Sequence, residues 1–384
     1  MAIDEETPAK RAKVGPHVEV LAPRKVADMT VSSIALGCFS FGGDRKTGGH
    51  LSEQMAKLHQ GVWGEQSDED TFATVKAALD TGINFFDNAE MYGDGYAEEV
   101  LGRALKASGY DRSQYIIATK VSETFLAPEL VKEHVKKSIA RMDCQYLDLI
   151  QLHWHSRAAV SSRKYPERPL KEEVPLADTL MALNELREAG IVRHIGACNF
   201  GVEDMHCWLR TPVPMASNQL CYNLLWRGIE TEVVPMCVEH GIAILPWSPI
   251  GQGLLTGKYN HADEVLPGRA RSRLFSRERP QQRHGEAGLE DETFRAIRKM
   301  KWIADKMEQP LQNISLAWLL RRTGVTSVLM GARNPEQLRS NLSCLKVELP
   351  DEADQLLSDA GAELLTKLGS NLDPYETAEY TRIK

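Results

Sequence analysis

Short apolar runs alternate along the chain with longer stretches whose apolar residues recur every three to four positions. Eight strand candidates fall over 33–37, 83–87, 115–120, 147–153, 193–197, 216–220, 242–246 and 327–331, and most are nearly continuous in apolar residues. Such continuity predicts strands buried on both faces, as in a parallel sheet. The intervening segments read as amphipathic helices. Ser67 and Asp70 form a capping pair ahead of Phe72, Val75 and Leu79, and Gly82 supplies a stop. Pro128 opens the next clear helix, with Leu130, Val131, Val135 and Ile139 in phase. Leu176, Leu180, Leu183 and Leu186 repeat the pattern before Gly190. Eight strands with helices between them favour an α/β fold of one (β/α)8 TIM barrel over an open sheet, though periodicity alone does not separate the two. The expected organisation is a tail with a possible hairpin over 1–30, the barrel over 31–349, and a C-terminal helical extension over 350–384. Long segments at 43–67, 155–175 and 259–290 follow strands and would sit on the C-terminal face, where barrel enzymes carry their chemistry.

Four polar residues stand out against this frame. Asp87, Lys120 and His153 each end an apolar strand, and Tyr92 follows Asp87 by one short loop. In a barrel they would converge at one mouth. Each alone has an ordinary structural explanation: a turn cap, a solvated cation, a satisfied core imidazole. Together they suit a particular chemistry. A phenol titrates near 10, too high for an efficient acid at neutral pH. A neighbouring lysine cation is expected to lower that value by about a unit or more, with an aspartate holding the lysine. A histidine beside them would orient a carbonyl oxygen. Such a set protonates an oxygen while something else attacks the carbon, and a hydride would serve as that attacker.

Composition narrows the field. The 384 residues carry a net charge of -7 and have 42% hydrophobic content, which argues against a general nucleic-acid or anionic-membrane binder. No run reaches the ~18 apolar residues of a membrane helix. The seven cysteines are scattered without a paired spacing, so free thiols and a cytoplasmic setting are expected. Lys10, Arg11 and Lys13 read as a solvated tail rather than an address. Gly251–Gly257 lacks the spacing and the βαβ context of a dinucleotide fingerprint, and Gly257-Lys258 lacks the earlier glycine of a P-loop. His153 and His155 have no third ligand at useful spacing, so no metal is expected. Trp63, Trp154 and His155 are candidate pocket walls.

The ordered segments GINFFDNAEMYGDGYAEEVLGRAL, IIATK, DLIQLHW, IGACNF, NQLCYNLL, PWSPIGQGLLTGKY and GARNPEQLRSNL resemble the aldo-keto reductase superfamily from about Val31 to Leu349. The likeness is strongest to its longer members, which are similar to potassium-channel β-subunits and related bacterial reductases. The resemblance implies NADP(H) as cofactor and a tetrad of Asp87, Tyr92, Lys120 and His153, with Tyr92 the general acid. It also implies that Asn199 and Gln219 bind the nicotinamide carboxamide and that Trp247 stacks on the ring. Ser248, Ile250 and Gly251 would wrap the pyrophosphate, with Lys258 and Arg271, or Arg269, on phosphate. Gly331, Arg333, Gln337 and Asn341 would hold the adenosine end. The residues agree on the last point: a strand ending at Gly331 feeds a helix near Pro335, so free N–H groups and the Arg333 guanidinium share one space suited to a 2′-phosphate.

Two departures are specific to this chain. Cys198 stands where serine is usual, and Arg333 replaces the serine of the channel-subunit branch. The expected activity is NADPH-dependent reduction of an aldehyde or ketone, with a small-molecule carbonyl substrate and no nucleic-acid or membrane partner. The alternative is a nucleotide-sensing regulatory or binding subunit with slow incidental turnover. Substrate identity and homo-oligomerisation are left open.

Overall fold

The computed structural model describes residues 22–43, 66–157 and 172–384. Most of the loops expected at 43–67 and 155–175 therefore lies outside the described residues, as do Trp63 and the basic cluster at Lys10, Arg11 and Lys13.

The chain enters through a two-stranded antiparallel hairpin, β1 (Arg24–Val26) and β2 (Met29–Val31). Eight parallel strands follow: β3 (Ile34–Gly37), β4 (Phe85–Asp87), β5 (Ile116–Val121), β6 (Leu147–Leu152), β7 (Val192–Cys198), β8 (Ser217–Cys221), β9 (Ala243–Trp247) and β10 (Val328–Gly331). Their order runs β10-β3-β4-β5-β6-β7-β8-β9. A parallel bridge between Ile244 and Val325, with the Thr326 N–H donating to the Ile244 carbonyl at 2.8 Å, joins the two ends. The eight expected strands are thus all present, in a nearly closed barrel rather than an open sheet.

Side-chain alternation fixes what the barrel encloses. Ala35, Phe85, Ile116, Ala118, Leu149, Ala243, Leu245 and Leu329 form one interior cluster, closed below by Val26, Met29 and Val31 of the hairpin. Two residues further along the same faces come Asp87 after Phe85, Lys120 after Ala118, Gln151 after Leu149 and Trp247 after Leu245. The period of two therefore carries each strand from apolar filling to polar chemistry at its C-terminal end.

Helices on the outer face bury the complementary apolar stripe. The helix Asp68–Asp80 starts at Ser67, whose hydroxyl accepts from the Asp70 N–H at 3.0 Å. The helices Pro128–Arg141 and Leu176–Glu188 start and stop where the sequence signals them. The C-terminal extension is helical only over Asp351–Ala360 and Ala362–Leu368. The rest of the expected helical span is irregular apart from one short 3-10 turn, Ala378–Tyr380. This segment runs across the C-terminal mouth. Arg273 holds it by donating to the carbonyls of Leu368 at 3.0 Å and Asn371 at 2.9 Å, and the Asp204 N–H donates to the Lys384 carbonyl at 3.1 Å. Backbone carbonyls held by Arg273 are not paired within a helix, and the helix ends at Leu368.

Candidate active site

The C-terminal ends of β4, β5 and β6, with the turn after β4, bring Asp87, Tyr92, Lys120 and His153 together. The Lys120 ammonium is fully buried and donates to Asp87 Oδ1 at 2.6 Å, to the Asn88 carbonyl at 2.7 Å and to the Tyr92 hydroxyl at 3.1 Å. The His153 ring stands edge-on to Tyr92, with centroids 6.0 Å apart. Tyr92 itself comes from the turn after β4. Gly42 and Gly93 make that turn possible, because a Cβ on Gly42 would lie 2.6 Å from the Gly93 nitrogen.

The free oxygen of Asp87 is also held. Oδ2 accepts from Gln151 Nε2 at 3.0 Å and from Gln219 Nε2 at 2.8 Å. A buried carboxylate with a cation on one oxygen and two amides on the other is fully satisfied, so it fixes the lysine without straying. Gln151 was missed in the sequence, although it lies near the end of β6, two residues before His153.

Electrostatics correct one expectation. Tyr92 is not lowered but pushed up to about 12. Burial is the largest cause; Lys120 acts the other way without overcoming it. Lys120 itself is raised above the ordinary lysine value: burial pushes it down, but Asp87 and Tyr92 outweigh that. The site at neutral pH is therefore a protonated phenol facing a firmly charged ammonium.

Above these residues opens a cavity of about 840 Å³. Tyr92, Asp87 and His153 line it, while Lys120 sits behind them. Asn199, Gln219, Trp247, Ser248, Ile250, Lys258, Arg271, Gly331, Arg333, Gln337 and Asn341 line it too. Gly251 does not. Its neighbours do, and with Ser248, Gln252 and Gly253 it takes a left-handed φ that folds the segment into a concave turn. Arg269 and Arg271 both face the cavity, so neither replaces the other. At the far end β10 runs into the helix Pro335–Leu342, capped by Asn334, whose side chain accepts from the Gln337 N–H at 2.9 Å.

The two amides named for a carboxamide both have protein partners. The NH2 of Gln219 is turned onto Asp87, and its Oε1 faces the Cys198 thiol at 3.7 Å. Asn199 donates to the His153 carbonyl at 3.1 Å and accepts the Trp247 indole N–H at 3.0 Å. Cys198, fully buried beside them, has its thiol pushed up by burial and stays neutral. His155 pairs with Asp204 at 2.6 Å.

The C-terminal segment adds residues to which no motif pointed. Tyr375 stacks on Trp247 with the rings 13° apart and accepts from Gln252 at 2.5 Å, while Arg382 lies over the Trp154 ring.

A buried phenol with an ammonium at its oxygen, beneath a basic cleft with room for a second molecule, is the equipment of an oxidoreductase that interconverts carbonyl and alcohol groups. The chain belongs to the Aldo/keto reductase family, whose pattern matches residues 56–359. Among curated relatives it is 28% identical to the NADH-specific methylglyoxal reductase of Escherichia coli, over 90% of this chain and 99% of that one. It is 29% identical to a probable voltage-gated potassium channel subunit beta of Arabidopsis thaliana, over 77% of this chain and 88% of the relative. The glycerol dehydrogenase of Gluconobacter oxydans superposes with a TM-score of 0.68 at 24% identity, covering 89% of this chain and 96% of the other. A Klebsiella pneumoniae aldo/keto reductase solved with NADP and acetate gives 0.59 at 24%, over 86% and 92%. These structural likenesses show the fold. Among the described residues no helix is long and apolar enough to cross a membrane.

Proposed function

We propose that the protein reduces an aldehyde or ketone to an alcohol with NADPH. The observation that carries this reading is the contact of the Lys120 ammonium with both the Asp87 carboxylate and the Tyr92 hydroxyl at the floor of a cation-lined cavity. The cavity suits the cofactor by its donor set. Lys258, Arg269, Arg271 and Arg333 supply positive charge, the turn at 248–253 is concave, and Trp247 offers a flat apolar face. The Klebsiella pneumoniae neighbour was solved with NADP, and the Escherichia coli relative is NADH-specific by name.

Bound NADPH would supply the hydride, held by Trp247 at the ring, by the 248–253 turn, Lys258 and Arg271 at the pyrophosphate, and by Gly331, Arg333, Gln337 and Asn341 at the adenosine end. Tyr92 gives its proton to the substrate oxygen. Lys120 then faces the phenolate at the former hydrogen-bond distance, and Asp87 keeps the ammonium from following the proton. His153 orients the carbonyl oxygen from the side. A regulatory subunit has no need of Lys120, Asp87, Gln151 and Gln219 locked behind a phenol, so turnover is favoured over nucleotide sensing.

The test joins binding to chemistry. Titration with NADPH and NADH should quench tryptophan fluorescence through Trp247, with NADH at least tenfold weaker. Tyr92→Phe should bind NADPH as the wild type does and lose turnover. A Tyr92→Phe enzyme retaining over a tenth of the wild-type rate would remove Tyr92 from the reaction. Absence of quenching by either nucleotide would remove the cofactor.

A further inference from the structure

The substrate end of the cavity holds an arginine that none of the roles above uses. Arg382 is 3% exposed, yet it lines the cavity. Its position is over-determined. Nε donates to Asp373 Oδ2 at 2.9 Å and Nη2 to Asp373 Oδ1 at 3.0 Å, a two-pronged pair, and its backbone N–H reaches the same carboxylate at 3.2 Å. The guanidinium carbon sits 3.4 Å from the centre of the Trp154 ring, and Trp154 directly follows His153. Among the described residues Nη1 has no protein partner, and it is not one of the sealed-off polar atoms. A planar, immobilised guanidinium that spends two nitrogens on a carboxylate and turns the third edge into the cavity is a ready-made donor.

A second cation lies alongside. Arg283 lines the same cavity, paired with Glu376 at 3.3 Å, and feels the charge of Arg382 and Arg271. Asp373, Glu376 and Arg382 all come from the C-terminal segment, so this wall is built by 371–384 rather than by the barrel.

From this geometry we infer that Arg382 is the specificity-determining residue of the substrate pocket and selects carbonyl compounds that carry a carboxylate. The inference rests on the reductase reading above. The reacting carbonyl lies at Tyr92 and His153, and the remote carboxylate accepts from Arg382 Nη1. Asp373 has two effects: it aims the guanidinium, and it offsets part of the charge a carboxylate would meet.

The experiment compares ω-oxo carboxylates of two to six carbons with the unsubstituted alkanals of the same length, under saturating NADPH. For at least one length kcat/KM should favour the oxo acid by roughly tenfold or more, the size of one hydrogen bond between charged groups. The Arg382→Met/Asp373→Asn double variant, which buries no unpaired charge, should bring that ratio to about one. Asp373→Asn alone should raise it several-fold, because Arg382 then faces the cavity without a counter-charge. A pair that merely pins the segment would leave the ratio unchanged in both variants, and that result overturns the proposal. So does a wild-type ratio near one at every length, or a preference for hydroxyalkanals over the acids. If the double variant fails to fold, Asp373→Asn decides alone: no rise in the ratio refutes the assignment. Butyrate, which cannot react, supplies a readout independent of turnover. It should quench Trp154, with or without NADPH, where butyramide does not. Should no aldehyde turn over, the reductase reading fails, and butyrate binding still decides whether Arg382 holds carboxylates.

Discussion

Removing the Lys120 charge tests the chemistry most directly, because the structure sets both the size and the direction of the effect. In Lys120→Met an apolar side chain of similar length replaces a fully buried ammonium 3.1 Å from the Tyr92 hydroxyl and 2.6 Å from Asp87. At the distance of the phenol oxygen and an effective dielectric of about 20, the attraction between ammonium and phenolate is about 5 kcal/mol. A proton half transferred at the transition state would realise about half of that, or roughly two orders of magnitude in rate, and a fully transferred one roughly four. We therefore expect kcat to fall between about 100-fold and 10,000-fold, with NADPH affinity within about threefold of wild type. The pH profile has a definite sign. The acid must be protonated, and Tyr92 loses its proton only at about 12, so kcat/KM for reduction should stay level through the neutral range and fall only as pH approaches that value. Alcohol oxidation needs the phenolate and should rise towards the same value. Lys120 holds Tyr92 lower than burial alone would, so the variant moves both limbs further up. Leaving Asp87 buried without its cation also costs about 3 kcal/mol or more in stability. The control is Lys120→Met/Asp87→Asn, in which stability should largely return while the rate does not. A single variant keeping more than a tenth of kcat, or a double variant that recovers rate together with stability, would refute the reasoning.

Three further substitutions separate the parts of the site. Gly42→Ala places a Cβ 2.6 Å from the Gly93 nitrogen and 3.0 Å from the Tyr92 carbonyl carbon; kcat should drop at least tenfold with NADPH binding nearly unchanged, measured by stopped-flow and calorimetry. Trp247→Phe keeps a flat ring but loses the indole donor to Asn199, so calorimetry should show NADPH binding weakened by about fivefold, the worth of one neutral hydrogen bond. Arg333→Ala should weaken NADPH by roughly tenfold or more and leave NADH unaffected, since only the former carries the 2′-phosphate; equal losses for both nucleotides would reassign Arg333 to the loop itself, where its backbone N–H already donates to Gln337 at 3.0 Å.

What the sequence made legible follows from distance along the chain. Strand ends announce themselves because an apolar run stops at a charged residue, so Asp87, Lys120 and His153 were readable one at a time, and the barrel made them neighbours. Gln151 follows the same rule of two but is hidden, because an amide inside LDLIQL carries no mark of which charge it will meet. Gln219 shows the same limit from the other side. Its position in the cavity was legible, yet its orientation is set by Asp87, 132 residues away. The pKa of Tyr92 went the wrong way in the sequence reading because a neighbouring cation is visible in a motif and burial is not. The C-terminal segment is the extreme case. Nothing in DPYETAEYTRIK has a period or a motif, and its conformation is imposed by Arg273, Asp204 and Gln252, which precede it by up to 180 residues. The barrel motifs that the family shares build the end of the cavity where oxygen is protonated. The wall that sorts substrates is made by a stretch with no signature of its own, so two chains can agree at every motif residue and still take different carbonyl compounds.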